Sequence, residues 1–199
     1  MYASPRYPEP DEESVEAFVQ SQPYAVVMAT PPSGHPTASL LPFVKAGERI
    51  TVHMVREDAT CRALADTGRG SVLVEEFLAF TPHTLVSPDY AGQATLHFRA
   101  VLYGVEARVS TDRGRVAEAL EELLARYEPD LPHLPLADEE TYGSDMERLA
   151  VADLRVVSRQ AKFKVAQNRD AATRARIAAW LRARGGWRDG HAADVLAGR

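Results

Sequence analysis

Between residues 24 and 55, three short apolar runs are separated by turn residues, and none is long enough for a stable buried helix. Residues 24–30 (YAVVMAT) have strand length and close at Pro31-Pro32-Ser33-Gly34, a strong turn signal. Residues 36–44 read as a returning strand, which Ala46-Gly47-Glu48 turns again. Residues 49–55 (RITVHMV) alternate, with Ile50, Val52 and Met54 on one face and Thr51, His53 and Val55 on the other. Together the three predict an antiparallel meander.

The rest of the chain extends this pattern. Val15, Phe18 and Val19 recur at helical spacing behind Asp11-Glu12-Glu13, whose charges complement a helix N-terminus, and Pro23 ends that helix. Asp58 predicts the cap of a short helix carrying Cys61, Leu64 and Ala65, stopped by Gly68 and Gly70. Residues 71–80 (SVLVEEFLAF) predict a strand in which Glu75-Glu76 marks a bulge or a partly open face. Residues 87–92 form a loop by composition, and residues 94–109 (ATLHFRAVLYGVEARV) predict a long strand bent at Gly104. By parity His97 and Arg99 share one face, which leaves Leu96, Phe98, Ala100 and Leu102 as the expected barrel interior. Val116, Leu120, Leu123, Leu124 and Tyr127 mark an amphipathic helix, residues 128–143 a surface loop, and Met146, Leu149 and Ala150 a short helix. A last strand over residues 154–165 leads into a helix striped by Ile177, Trp180 and Leu181. Some six strands joined by short turns, with helices at the ends and in two crossings, predict an α+β protein whose sheet closes into a small antiparallel barrel to hide its edges.

Composition narrows the function. At 199 residues the chain can bury one core, expected over residues 1–185 with a C-terminal tail, open to a helical reading, at 186–199. A net charge of -5 argues against general nucleic-acid binding, and Arg174, Arg176, Arg182 and Arg184 on the last helix read as a solvated face rather than a DNA contact. Cys61 stands alone, so no intrachain disulfide forms and a cytoplasmic location is expected. The first residues lack the basic and apolar regions of a signal peptide, and no apolar run approaches the roughly 18 residues of a membrane span.

No dinucleotide fingerprint, phosphate loop, nucleophile elbow or metalloprotease motif is present, and the histidines lack metal-ligand spacing. What does stand out is Lys162-Phe163-Lys164-Val165-Ala166-Gln167-Asn168-Arg169. The chain uses twenty arginines and three lysines, and two of those lysines sit one residue apart here. On a strand, Lys162 and Lys164 share a face, and Gln167, Asn168 and Arg169 gather donors near a helix N-terminus, which suits a phosphate or a polar cofactor. The same run also reads as a solvated sheet face followed by an amide helix cap.

These residues carry a resemblance. The element Lys162 to Arg169 matches a near-terminal KFKxxQNR run, and Met1-Tyr2, the acidic first helix, His53-Met54-Val55-Arg56-Glu57-Asp58 and Ser87-Pro88-Asp89-Tyr90 follow in the same order. On this basis the chain resembles PaiB-type proteins, FMN-binding negative transcriptional regulators, over roughly residues 1 to 180. The resemblance implies an α+β fold, a small antiparallel split β-barrel with flanking helices, forming a homodimer with FMN at the subunit interface. It also implies Ser39, His53, Arg56, Lys162, Lys164, Gln167 and Asn168 as candidate cofactor contacts. Two departures, Leu96-His97-Phe98 in place of a Trp-Asn-Tyr run and Asp58 near an expected asparagine, keep open an altered or lost flavin. A flavin-dependent oxidoreductase acting on a small molecule, a divergent ligand-binding regulator and a haem-binding relative using His53 or His97 remain alternatives.

Overall fold

The computed structural model describes Met1 and residues 5–198, so Tyr2 of the Met-Tyr start lies outside the described residues. The elements are α1 (Glu12–Ser21), β1 (Ala25–Ala29), β2 (Thr37–Leu41), β3 (Val44–Ala46), β4 (Arg49–Val55), α2 (Ala59–Thr67), β5 (Arg69–Thr81), β6 (Thr95–Ser110), α3 (Arg113–Tyr127), α4 (Glu139–Met146), β7 (Leu149–Lys164), α5 (Ala171–Arg184) and α6 (Asp189–Ala197). Two compact units divide the chain. The first comprises Val19–Val74 and Leu102–Arg159 and contains at least part of every strand. The second comprises Met1–Phe18, Glu75–Val101 and Gln160–Arg199.

The strands lie in the order β2-β1-β5-β6-β7-β4-β3, and this corrects the expected meander. β2 pairs with β1, but β3 pairs with β4, so residues 36–44 make two strands on different partners. The cause is Pro42, which has no N–H to offer a ladder. Phe43, wholly buried, follows it; the Tyr127 hydroxyl accepts from its N–H (3.4 Å) and donates to the carbonyl of Pro23 (2.9 Å). Strands β2 and β3 thus stand at opposite ends of the order with only Pro42 and Phe43 between them. A flat seven-strand sheet would hold its edges about 29 Å apart at ~4.8 Å per step. Three Cα–Cα steps reach only about 11 Å. The sheet therefore curls until its edges meet, which is the barrel. Its interior takes Val27 of β1, Ile50, Val52 and Met54 of β4, Val72 and Val74 of β5, and Ala152 and Leu154 of β7.

The α2 prediction holds. The Asp58 carboxylate accepts from the N–H groups of Thr60 (2.7 Å) and Cys61 (3.3 Å), and Gly68 ends the helix at φ 65°. Asp58→Ala is expected to lower the unfolding free energy by about 1–2 kcal/mol, read by urea denaturation; an unchanged midpoint would contradict the cap's role. Residues 139–143 belong to α4, not to the expected loop, because Asp138 caps that helix by accepting from the Thr141 N–H (2.8 Å). Leu149 and Ala150 open β7 rather than closing a helix, since Val55 and Met54 of β4 pair with them. On β6 the expected parity is reversed: His97, Val101, Tyr103 and Val105 are buried and Leu96 is exposed, although Ala100 is buried as expected. Polar residues face inward there because each has a partner, as the site shows. Gly104 lies where a Cβ would come within 2.4 Å of Ser158 Oγ, so the glycine admits a neighbouring side chain.

In the second unit, α5 and α6 pack together through Ile177, Ala178 and Leu181 against Ala192, Ala193 and Leu196, with Leu78, Ala79 and Ala166 completing the cluster. The tail is therefore largely a packed helix, and its alanines let the two helices approach closely.

Candidate functional site

The seven candidate residues divide between the two units, Ser39, His53 and Arg56 in the first and Lys162, Lys164, Gln167 and Asn168 in the second. In the first, the polar groups are largely committed within the chain. Ser39 Oγ lies 3.0 Å from both carboxylate oxygens of Asp58, to which it donates, and 2.9 Å from Thr60 Oγ1. Arg56 donates from Nε to the Leu149 carbonyl (2.8 Å) and from one terminal nitrogen to the carbonyls of Thr111 (3.2 Å) and Met146 (3.4 Å). These are the ties of a structural arginine, which staples the end of β4 to the start of β7 and to the segment after β6. His53, on β4, differs. Its Nδ1 is buried without a hydrogen-bond partner, and burial pushes its pKa below the ordinary imidazole value. A neutral imidazole with an unused nitrogen is a ligand-ready group.

The second unit holds the lysine strand. Phe163 packs edge-on against Phe18, with ring centroids 5.2 Å apart, so Lys162 and Lys164 project from the alternate face of β7. Lys164 Nζ donates to the Thr95 hydroxyl and stands 5.5 Å from the centre of the Tyr7 ring. Burial, then the positive charges of Lys162 and Arg169, push the Lys164 pKa below the ordinary lysine value. After β7 the buried Ala166 adopts φ 60°, a left-handed conformation that turns the chain toward α5. Gln167 clamps this turn, accepting from the Val165 N–H (2.9 Å) and donating to the Phe163 carbonyl (2.6 Å). Asn168 is exposed, and Arg169 donates to Gln93 Oε1 (2.5 Å). The helix cap is Asp170, not an amide; it accepts from the Thr173 N–H (2.7 Å) and so occupies part of the N-terminus expected to draw an anion.

His97 belongs to this end of the sheet. It is 3% exposed, and its Nδ1 lies 3.3 Å from the Lys164 carbonyl, which can only accept. Nδ1 therefore carries the proton, and Nε2 accepts from the Thr81 hydroxyl at 3.0 Å. Burial first, then the charges of Lys164 and Arg169, lower its pKa to about 4. Arg99, on the same face, pairs with the buried Glu76 (2.6 Å) and lies over the Phe18 ring at 4.7 Å. Thr95, Tyr7 and Gln93 were not legible as partners of the lysine run, because no periodic pattern links them to it.

The two groups differ in what they can hold. Ser39 faces a carboxylate, and Arg56 has Nε and one terminal nitrogen engaged by carbonyls, so both are largely committed within the chain. Lys162, Lys164 and Arg169, with the Thr95 hydroxyl, present mutually repelling cations and a neutral donor, which fits an anionic group such as the FMN phosphate.

The fold and its relatives define the class. Among solved structures, the FAD and heme binding protein from Mycobacterium smegmatis shares 18% identity and a TM-score of 0.62, covering 89% of this chain and 79% of that one. The flavocytochrome Anf3 from Azotobacter vinelandii shares 21% identity and a TM-score of 0.59, covering 77% and 67%. The heme storage protein HutZ from Vibrio cholerae shares 15% identity and a TM-score of 0.54, covering 77% and 96%. These likenesses show a common fold, a split barrel. Residues 1–158 match the family described as "Putative FMN-binding domain", and the chain belongs to that family. The match ends before Lys162. No curated protein matches the chain in sequence. Among the described residues no helix is long and apolar enough to cross a membrane, and no group of histidine, cysteine or acidic side chains could hold a metal ion.

Proposed function

We propose that the chain is a homodimeric, cytoplasmic FMN protein of the PaiB type, with its flavin-binding domain spanning residues 1–185 and the flavin phosphate held by Lys162 and Lys164. The observation that carries this reading is the family match over residues 1–158; the cation cluster at the end of β7 supports the phosphate position. Bound FMN would supply one- and two-electron transfer to or from a small molecule. The residues here bind and orient. Lys162 and Lys164 neutralise the phosphate, Gln167 holds the turn that presents Asn168, and His97 fixes the Lys164 backbone. In the barrel unit His53 has a nitrogen to spare, whereas Ser39 and Arg56 are engaged within the chain. Exposed Phe77, Phe80, Leu96 and Trp187 give the second unit apolar surface of the kind a second copy covers.

Regulation through direct DNA contact is not part of this proposal. Arg176 donates to the Leu85 carbonyl (2.7 Å), Arg182 pairs with Asp194 (2.6 Å), and Arg184 pairs with Asp189 (2.5 Å), so three of the four arginines on α5 serve the fold. A regulatory role would act through ligand state.

The test is the visible spectrum of the purified protein, followed by FMN titration of the wild type and of the Lys162→Ala, Lys164→Ala double variant. Saturable binding, weakened about tenfold or more in the variant, is expected from the loss of charge-assisted phosphate contacts. Binding unchanged in the variant would remove the phosphate from this strand, and no binding at all would remove FMN. An intense haem band instead would favour a second reading, a haem ligand with His53 as nitrogen donor, for which its unpartnered Nδ1 is the supporting observation.

A further inference from the structure

We infer that Lys164 is a nucleophilic amine that forms an imine with small anions bearing an aldehyde or ketone. The inference builds on the anion-binding reading of this cluster and does not require FMN.

Five features of the second unit bear on the Nζ atom. Lys164 is half-buried, so its ammonium is partly stripped of water. Its hydrogen-bond partner is a neutral hydroxyl, Thr95, rather than a carboxylate that would hold the proton on. Lys162 and Arg169 flank it, and two positive neighbours both disfavour the ammonium and attract an anion to the amine. Its own backbone is fixed, since the carbonyl accepts from the buried His97 ring and Gln167 secures the following turn. The Tyr7 ring, 5.5 Å from Nζ, offers a flat apolar wall on which a planar carbonyl compound could rest. The remaining cationic side chain of the cluster, Arg169, is held by Gln93 and so stays in place as an anion contact.

The step is balanced without an oxidant or reductant. The amine lone pair forms a C–N bond to the carbonyl carbon, and the carbonyl π pair moves to oxygen, which is protonated. The carbinolamine then loses that oxygen as water together with the second amine proton, which leaves the C=N bond. Thr95, at hydrogen-bond distance, can accept and return the proton. The anionic end of the substrate, a carboxylate or phosphate, would meet Lys162 and Arg169.

The chain contains only three lysines, so the test is clean. Cofactor-free protein is incubated at neutral pH with glyoxylate and cyanoborohydride, which reduces imines to stable carboxymethyl adducts, and occupancy at each lysine is followed by peptide mass spectrometry. Lys164 is expected to be labelled about tenfold or more faster than Lys45, from local enrichment of the anion and a larger neutral fraction. Inorganic phosphate should slow the labelling of Lys164 and leave that of Lys45 unchanged. Arg169→Gln should slow Lys164 several-fold, and the neutral propanal should discriminate less than glyoxylate. Equal rates at Lys164 and Lys45, faster labelling of Lys162, or indifference to phosphate would overturn the inference. Because FMN is absent from the assay, selective labelling beside a failed FMN titration would sink the flavin reading alone, and the converse would sink the imine alone.

Discussion

Glu76→Ala is expected to lower the unfolding free energy by about 3 kcal/mol, the low end of the range for breaking a buried charge cluster. Glu76 sits on β5 with its side chain 1% exposed, and four donors converge on it. Arg99 donates to Oε2 through two nitrogens (2.9 and 2.6 Å), His191 lies 2.8 Å from Oε1, and Arg188 reaches the same oxygen. The glutamate thus ties the start of α6 to the sheet. Removing it leaves Arg99 largely buried and unpaired, while Arg188 and His191 can turn to solvent, which is why the lower figure applies. Burial pushes the Glu76 pKa up, but hydrogen bonds and charge from Arg99 and His191 outweigh it and hold the carboxyl below its ordinary value. The stabilisation is therefore present at neutral pH and is lost as pH falls through the folded-state pKa. Urea denaturation at pH 7 gives the loss. Hydrogen exchange gives its location, since α6 amides should lose protection first; a variant as stable as the wild type would show the cluster to be energetically idle.

The second large effect belongs to His97. Its folded-state pKa of about 4 lies below the free value of 6.5. Above pH 6.5 both states are neutral at this ring and the stability is full. Between about pH 6.5 and 4 the unfolded chain binds a proton that the folded chain refuses, so stability declines with falling pH, by about 3 kcal/mol at 1.36 kcal/mol per pKa unit. Below that window this histidine costs no more. His97→Asn keeps a donor and an acceptor but cannot titrate, so its stability curve should be flatter over the window by about the same amount. Parallel curves for wild type and variant would mean that His97 is already protonated, or that it is not buried as described.

Much of the strand and helix content could be read from residue pattern, because Ile50, Val52 and Met54 alternate as a half-buried strand must and Asp58 caps its helix where an acid should, although the cap of α5 proved to be Asp170 and not the expected amide. Connectivity could not. Pro42 marks a break in the ladder, but nothing local says that the strand on one side pairs with β1 and that on the other with β4; that choice depends on β7, a hundred residues later. The inward parity of β6 was missed for a related reason. Arg99 and His97 look like surface residues until Glu76, Thr81 and the Lys164 carbonyl are brought to them by the fold. Of the candidate site, the lysine pair could be read because lysine is so rare in this chain, whereas the internal duties of Ser39 and Arg56 rest on tertiary partners.

The pairing of β4 with β7 also sets a timetable for synthesis. A chain growing from the ribosome completes β4 at Val55, but its partner residues, Leu149 to Arg155, emerge only after nearly a hundred more. Throughout that interval β4 presents an open row of backbone donors and acceptors flanked by Ile50, Val52 and Met54, the kind of edge that recruits other chains. Closure by so distant a strand is slow by its topology. The nascent protein is thus most in need of a chaperone between the synthesis of β4 and that of β7, before the region that carries its lysine pair exists.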